Sequence, residues 1–175
     1  MVCAGCSGQN AELNRALVFR QKLLSSEGCS FHVEVTADYG QTLYSFAMDC
    51  QGNPQGDVKF TVTEPESIAG ISGTLSDSGG TLTFDDTALH FELMAEEQLS
   101  PVSAGWAFLK ALRNGCITSV CMEDELLRIS VDDSYADDAL GLDVWMDAED
   151  TPLRADIFYE GTRILSLSIR NFTLL

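Results

Sequence analysis

Apolar residues recur in steps of two along most of this chain, and only two stretches carry the steps of three and four that belong to a helix. The alternation is cleanest between Cys29 and Cys50. Phe31, Val33 and Val35 alternate with His32, Glu34 and Thr36, and a second run after Tyr39-Gly40 sets Tyr44, Phe46 and Met48 in the same phase. A two-residue turn at Tyr39-Gly40 would pair Asp38 with Gln41. Phe31 then faces Met48, Val33 faces Phe46 and Val35 faces Tyr44, which collects one apolar face. The same register sets Cys29 opposite Cys50 and predicts a cross-strand disulfide.

Further strands follow the same logic. Val58, Phe60 and Val62 alternate after a Gly-Asn-Pro-Gln-Gly turn at 52–56, and Ile68 to Leu75 predicts another strand. Leu82 and Phe84 precede Asp85-Asp86, with Leu89, Phe91 and Leu93 as the hairpin partner. The C-terminal third reads as strands near 126–132, 141–147, 153–160 and 163–172. The first helix is predicted with Asn10 as cap, Glu12 at its positive end, Leu13, Leu17 and Leu24 on one face with Ala16, and Gly28 as terminator. The second has Ser100 as cap, Pro101 in first position, an apolar face of Val102, Trp106, Leu109 and Leu112, and Asn114-Gly115 as its stop. The order is therefore a helix, about five strands, a helix and about four strands, with no strand–helix–strand unit. A large antiparallel sheet with both helices against one face is the packing solution. Residues 1–9 read as a small, polar tether and 10–175 as a single domain, with no internal linker or long repeat.

Charge narrows the partners. Ten Lys and Arg stand against 27 Asp and Glu, a formal net charge of −17, which repels nucleic acid. No apolar stretch approaches the ~18 residues of a membrane span. Cys3-Ala4-Gly5-Cys6 has the C-x-x-C form, but a redox pair needs a helix start on a sheet, and this one lies among small residues at a chain end. A zinc site from Cys3, Cys6, Cys116 and Cys121 is disfavoured by the four-residue gap in the second pair. Cys116 and Cys121 flank Ile-Thr-Ser-Val and predict a tight loop disulfide. The acidic run Asp132 to Asp138 lacks a calcium loop's glycine at position six, and its twelfth position is Asp143 rather than Glu. It reads as solvated turn charge. His32 and His90 alternate outward, and no nucleophile elbow, zinc-helix, phosphate-loop or dinucleotide motif occurs. No metal, no cofactor and no catalysis are expected.

Residues 58–112 carry a resemblance. Val58-Lys59-Phe60-Thr61-Val62-Thr63-Glu64-Pro65-Glu66-Ser67-Ile68-Ala69-Gly70-Ile71 resembles the strand and Pro-Glu-x-x-x-Gly segment of the LolA-like superfamily. Leu82-Thr83-Phe84-Asp85-Asp86 matches its short hairpin, and Pro101 to Leu112 its Pro-started helix. The resemblance implies an α+β fold: a large antiparallel half-open β-barrel with two helices packed over the concave face. The family's carriers hold lipoprotein acyl chains there, with the helices, here those bearing Leu17 and Trp106, as lid. Ala4-Gly5-Cys6-Ser7 resembles the end of a bacterial lipobox, with Cys3 standing where Leu is usual, and points to a Gram-positive-type lipoprotein branch. Cys6 is then the lipidated residue, and the protein is extracytoplasmic, anchored to the outer face of the cytoplasmic membrane. Phe31, Phe46, Phe60, Phe84, Phe91, Trp106 and Trp145 either line a ligand cavity or fill a core. The expected function is non-catalytic binding of a hydrophobic ligand, an acyl chain or a lipidated protein. The alternative is a protein-binding regulatory lipoprotein acting on a cell-envelope or spore cell-wall enzyme.

Overall fold

A computed structural model describes residues 7–83, 99–136 and 139–175. Helix α1 (Ser7–Ser25) leads into five strands, β1 (Cys29–Asp38), β2 (Leu43–Gly52), β3 (Val58–Glu64), β4 (Ser72–Ser76) and β5 (Gly79–Thr83). A 3-10 turn at Pro101–Ser103 opens helix α2 (Ala104–Asn114). Five more strands follow: β6 (Cys116–Glu123), β7 (Leu126–Asp132), β8 (Gly141–Met146), β9 (Pro152–Tyr159) and β10 (Thr162–Leu174). All ten form one antiparallel sheet in the order β5-β4-β3-β2-β1-β10-β9-β8-β7-β6. It is open rather than closed into a barrel, with both helices packed on the face that carries the apolar residues.

The β1–β2 register differs from the expected one by two residues. Phe31 faces Cys50, Val33 faces Met48, Val35 faces Phe46, and Cys29 faces Gly52. The cause is the connection. Asp38 pairs with Leu43, and the loop from Tyr39 to Thr42 closes with the Tyr39 N–H donating to the Thr42 carbonyl at 3.1 Å. The Gly40 N–H, at φ +81°, donates to Asp38 Oδ1 at 2.7 Å. A slip of two preserves which face each side chain takes, so the apolar face survives while the directly opposed cysteines do not.

The Pro-Glu-x-x-x-Gly segment is a turn. The Gly70 N–H donates to the Val62 carbonyl and the Val62 N–H to that of Ile71, which folds the fully buried Ile71 back over β3. Gly70 has φ +91°, a conformation glycine tolerates without strain. The strand expected from Ile68 thus begins only at Ser72. The hairpin partner at Leu89 to Leu93 lies outside the described residues.

Helix α1 starts at Ser7, so Asn10 lies inside its first turns rather than capping it. It buries Ala16, Phe19 and Leu23, and leaves Leu13, Leu17 and Leu24 exposed, a correction to the face expected from the leucines. Specific anchors set this rotation. Phe19 packs on Phe172 at 6.0 Å between ring centroids, Arg20 Nε donates to the Leu112 carbonyl at 2.7 Å, and Arg15 Nε donates to Asp150 Oδ1 at 2.9 Å. Helix α2 buries Ala107, Phe108, Leu109, Ala111 and Leu112, and Gly115 ends it. Ser100 makes no side-chain cap; instead the Ser103 hydroxyl donates to the Ser100 carbonyl at 2.7 Å.

Candidate functional site

Most of the helix-covered face is filled by the chain's own side chains. Phe31 stacks on Phe172 at 5.8 Å and meets the edge of Phe108 at 5.7 Å, and Phe46 and Phe60 are buried in the same cluster. These three sequence candidates therefore contribute to the core. Phe84 and Phe91 lie outside the described residues. Trp145 takes the opposite face: on β8 it alternates with Leu142, Val144 and Met146, which belong to the core. There its ring lies 3.8 Å from the Arg154 guanidinium carbon and 5.4 Å from that of Arg128.

Trp106 sits where the packing opens. A cleft of about 320 Å³ lies between α2 and the edge of β8, lined by Leu99, Trp106, Ala107, Lys110, Asp133, Leu140 and Leu142. Such a volume is at the lower end of the ~300–1,000 Å³ of small-molecule sites. Trp106 and Lys110 are one helical turn apart, so both reach the same side of α2. The ammonium nitrogen lies 4.7 Å from the indole centroid and 3.3 Å from Asp77 Oδ1. The opposite wall is fixed by the backbone: the Asp133 N–H donates to the Leu140 carbonyl at 3.0 Å, and the Leu140 N–H donates to Asp133 Oδ1 at 2.9 Å. Among the described residues the result is an apolar wall rimmed by the Lys110 cation, which is paired with Asp77, and by the Asp133 carboxylate. It can desolvate a hydrocarbon segment and hold a polar end near the mouth. Ala107, Leu140 and Leu142 were absent from the sequence candidates. Their signal was the small residue beside Trp106 and the alternation of Leu140 with Leu142.

The four described cysteines are free thiols, with none at disulfide distance. For Cys116 and Cys121 the reason is decisive: both lie on β6, five residues apart along one extended strand. At ~3.3 Å per residue they are about 16 Å apart, far beyond a disulfide's Cα separation. The stretch between them is a strand rather than the expected loop. It hides its alternation because the pairing with β7 slips between Ile117 and Ser119. Cys29 and Cys50 share the covered face but are displaced by the two-residue register shift. Burial pushes both thiols above the ordinary cysteine range, Cys50 furthest. A thiol reagent applied to the native protein is expected to label the exposed Cys121 promptly, and Cys29 and Cys50 only on unfolding. Prompt modification of Cys50 in the folded state would contradict this placement. Cys6 lies outside the described residues.

On the open face His32 Nδ1 lies 2.7 Å from Asp49 Oδ1, an exposed pair. Among the described residues no group of three or more His, Cys, Asp or Glu side chains converges as a metal site would require. No described helix is long and apolar enough to cross a membrane.

No protein-family model matches the chain, and no curated protein matches it by sequence. Solved structures similar to it include an uncharacterized conserved protein from Thermus thermophilus, at 11% identity and a TM-score of 0.49, covering 95% of this chain and 86% of that one. A LolA superfamily protein from Nitrosomonas europaea has 8% identity and a TM-score of 0.45 over 97% and 94% of the two chains. LprF from Mycobacterium bovis has 14% identity and a TM-score of 0.44 over 95% and 94%.

Proposed function

We propose that this domain is a non-catalytic, membrane-tethered extracytoplasmic lipoprotein that takes one apolar chain segment into the cleft beside Trp106. The observation that supports it is the cleft itself: among the described residues, a largely apolar-lined space beside a face whose other side chains form the buried core. Each methylene moved from water into such a wall contributes about 0.8 kcal/mol, so a short acyl segment suffices for binding without covalent chemistry. The ligand class is an acyl chain, free or carried by a lipidated protein. Cys6, in its lipobox-like setting, is the acylated residue of this reading and places the domain on the outer face of the cytoplasmic membrane.

Titration with a fluorescent long-chain fatty acid tests the reading, with the ligand's own emission as the reporter. Saturable binding that weakens by about tenfold or more in Ala107→Trp is expected, because the new indole occupies the cleft. Absence of saturable binding, or equal affinity in the two proteins, overturns it. The second reading is a protein-binding regulator of a cell-envelope enzyme. It is favoured by the extent to which Phe31, Phe46 and Phe60 are committed to the core. A fatty-acid-negative protein that recovers one envelope enzyme on co-purification supports it instead.

A further inference from the structure

Among the described residues, Lys110 is the only cation that lines the cleft beside Trp106. Its ammonium has two close neighbours. The centroid of the Trp106 ring lies 4.7 Å from the nitrogen, and Asp77 Oδ1 lies 3.3 Å from it. The two differ in how firmly they are placed. Trp106 belongs to the same helix one turn earlier, so its ring face stays with the ammonium. Asp77 stands at the tip of the β4–β5 hairpin, and its side chain is 74% exposed. That turn is closed by other atoms: the Ser76 hydroxyl donates to the Gly79 carbonyl at 3.0 Å, and the Ser78 N–H donates to Ser76 Oγ at 3.3 Å. The Asp77 carboxylate can therefore swing into water without undoing the hairpin, and an ion pair this exposed contributes little. Asp133 is different. Its Oδ1 accepts the Leu140 N–H at 2.9 Å, so this carboxylate stays in the wall.

We propose that the cleft selects a free fatty acid, with Lys110 as the specificity residue and the Asp77 carboxylate as an intramolecular stand-in that the ligand's carboxylate displaces. The inference rests on the acyl-chain reading of the cleft and narrows it from any acyl segment to one that ends in a carboxylate. Charge decides the head group. A cationic head would have to evict Lys110 from the Trp106 face and strip the ammonium of its aromatic neighbour. A carboxylate head replaces Asp77 like for like, so an ammonium–carboxylate pair is kept throughout. A phosphate head brings further negative charge close to the fixed Asp133 and is disfavoured. An ester or amide head, as on the acyl chains of a lipidated protein, carries no charge and leaves Asp77 in place. The wall of Leu99, Ala107, Leu140 and Leu142 then takes the methylenes while Lys110 holds the carboxylate at the mouth. Asp77 is thereby a built-in competitor that sets how tightly the acid is held.

The test displaces the fluorescent fatty acid from the full chain with dodecanoate and with dodecan-1-ol, at a pH where the acid is ionised. Both affinities are corrected for the reporter's own affinity in each protein. The readout is their ratio, acid over alcohol, which cancels any change in the apolar wall. Lys110→Gln is expected to lower this ratio by about tenfold, and Lys110→Arg to keep most of it because the charge remains. Asp77→Asn should raise the ratio by about threefold, since the competitor is gone. High salt should narrow the ratio of the unmodified chain. Both side chains reach solvent, so these variants keep the fold. A ratio that Lys110→Gln moves by less than about twofold overturns the inference. If the alcohol then still competes, and does so less well in Ala107→Trp, the cleft reading stands without it. Displacement by dodecyltrimethylammonium or dodecyl phosphate at lower concentration than by dodecanoate also overturns the inference. If neither acid nor alcohol displaces the reporter, both readings fall.

Discussion

Replacing Phe108 by alanine is expected to destabilise the domain by about 3–5 kcal/mol, measured as the shift in the urea unfolding midpoint at constant m. The ring is fully buried on α2 and touches both sides of the interior. It meets Phe31 of β1 edge-on at 5.7 Å and Phe172 of β10 at 6.5 Å with perpendicular planes. These rings sit at the centre of the sheet, where β1 pairs with β10, so collapse around a missing ring would have to move two ladders together. The cavity is therefore expected to persist, which puts the effect in the upper part of the range for such changes. A loss under about 1 kcal/mol would mean that α2 is not held by this cluster.

The second large effect belongs to the opposite face. Asp143→Ala is expected to destabilise by about 2–3 kcal/mol, less than a fully buried ion pair because Arg128 retains some water contact. Asp143 is 7% exposed and accepts from the Ser130 hydroxyl at 2.6 Å and from Arg128 Nη2. Arg128 also donates to Glu123 Oε2 at 3.0 Å while its guanidinium lies over Trp145. The Arg128 Nε and Trp145 Nε1 groups are already buried without hydrogen-bond partners, so the site has little reserve for another orphan. Asp143→Asn should recover part of the loss. The double change Arg128→Met with Asp143→Leu should recover most of it, since removing both charges removes the unpaired one. Thermal melts of the three variants check this. A single change that shifts stability by less than about 0.5 kcal/mol would refute the network's role.

Strand content was legible because a half-buried sheet writes its face into the sequence every second residue. Phe31, Val33 and Val35 declare the covered face of β1 whatever their partners are. Register was not legible, because a slip of two leaves that pattern intact and is decided by a loop hydrogen bond to Asp38. Helix α1 misleads for a related reason. Its leucines are the more conspicuous residues, but its rotation is set by Phe19, Arg15 and Arg20, which find partners distant in sequence. Strand β6 was hidden by its slip near Thr118 and by two cysteines whose spacing suggested a loop. At the site, Trp106 was legible as a large residue on an apolar helix face. The cleft it borders depends on Ala107 being small and on a backbone pair between Asp133 and Leu140, and neither leaves a periodic mark.

The strand order carries a consequence for how the molecule is made. Each half of the sheet is a run of nearest-neighbour hairpins, β1 to β5 and β6 to β10, and such local pairing forms early. The two halves meet through one seam, β1 against β10, which joins Cys29 to Leu174 and most residues between. That seam lies at the middle of the sheet and spans nearly the whole chain. During synthesis the first half must wait, with one edge of β1 unpaired and its apolar face only partly covered, until residues 162–174 emerge. Vulnerability to proteolysis and misassembly should therefore be concentrated in that interval, and a chain stopped before Thr162 should accumulate as an aggregate rather than as a smaller folded domain.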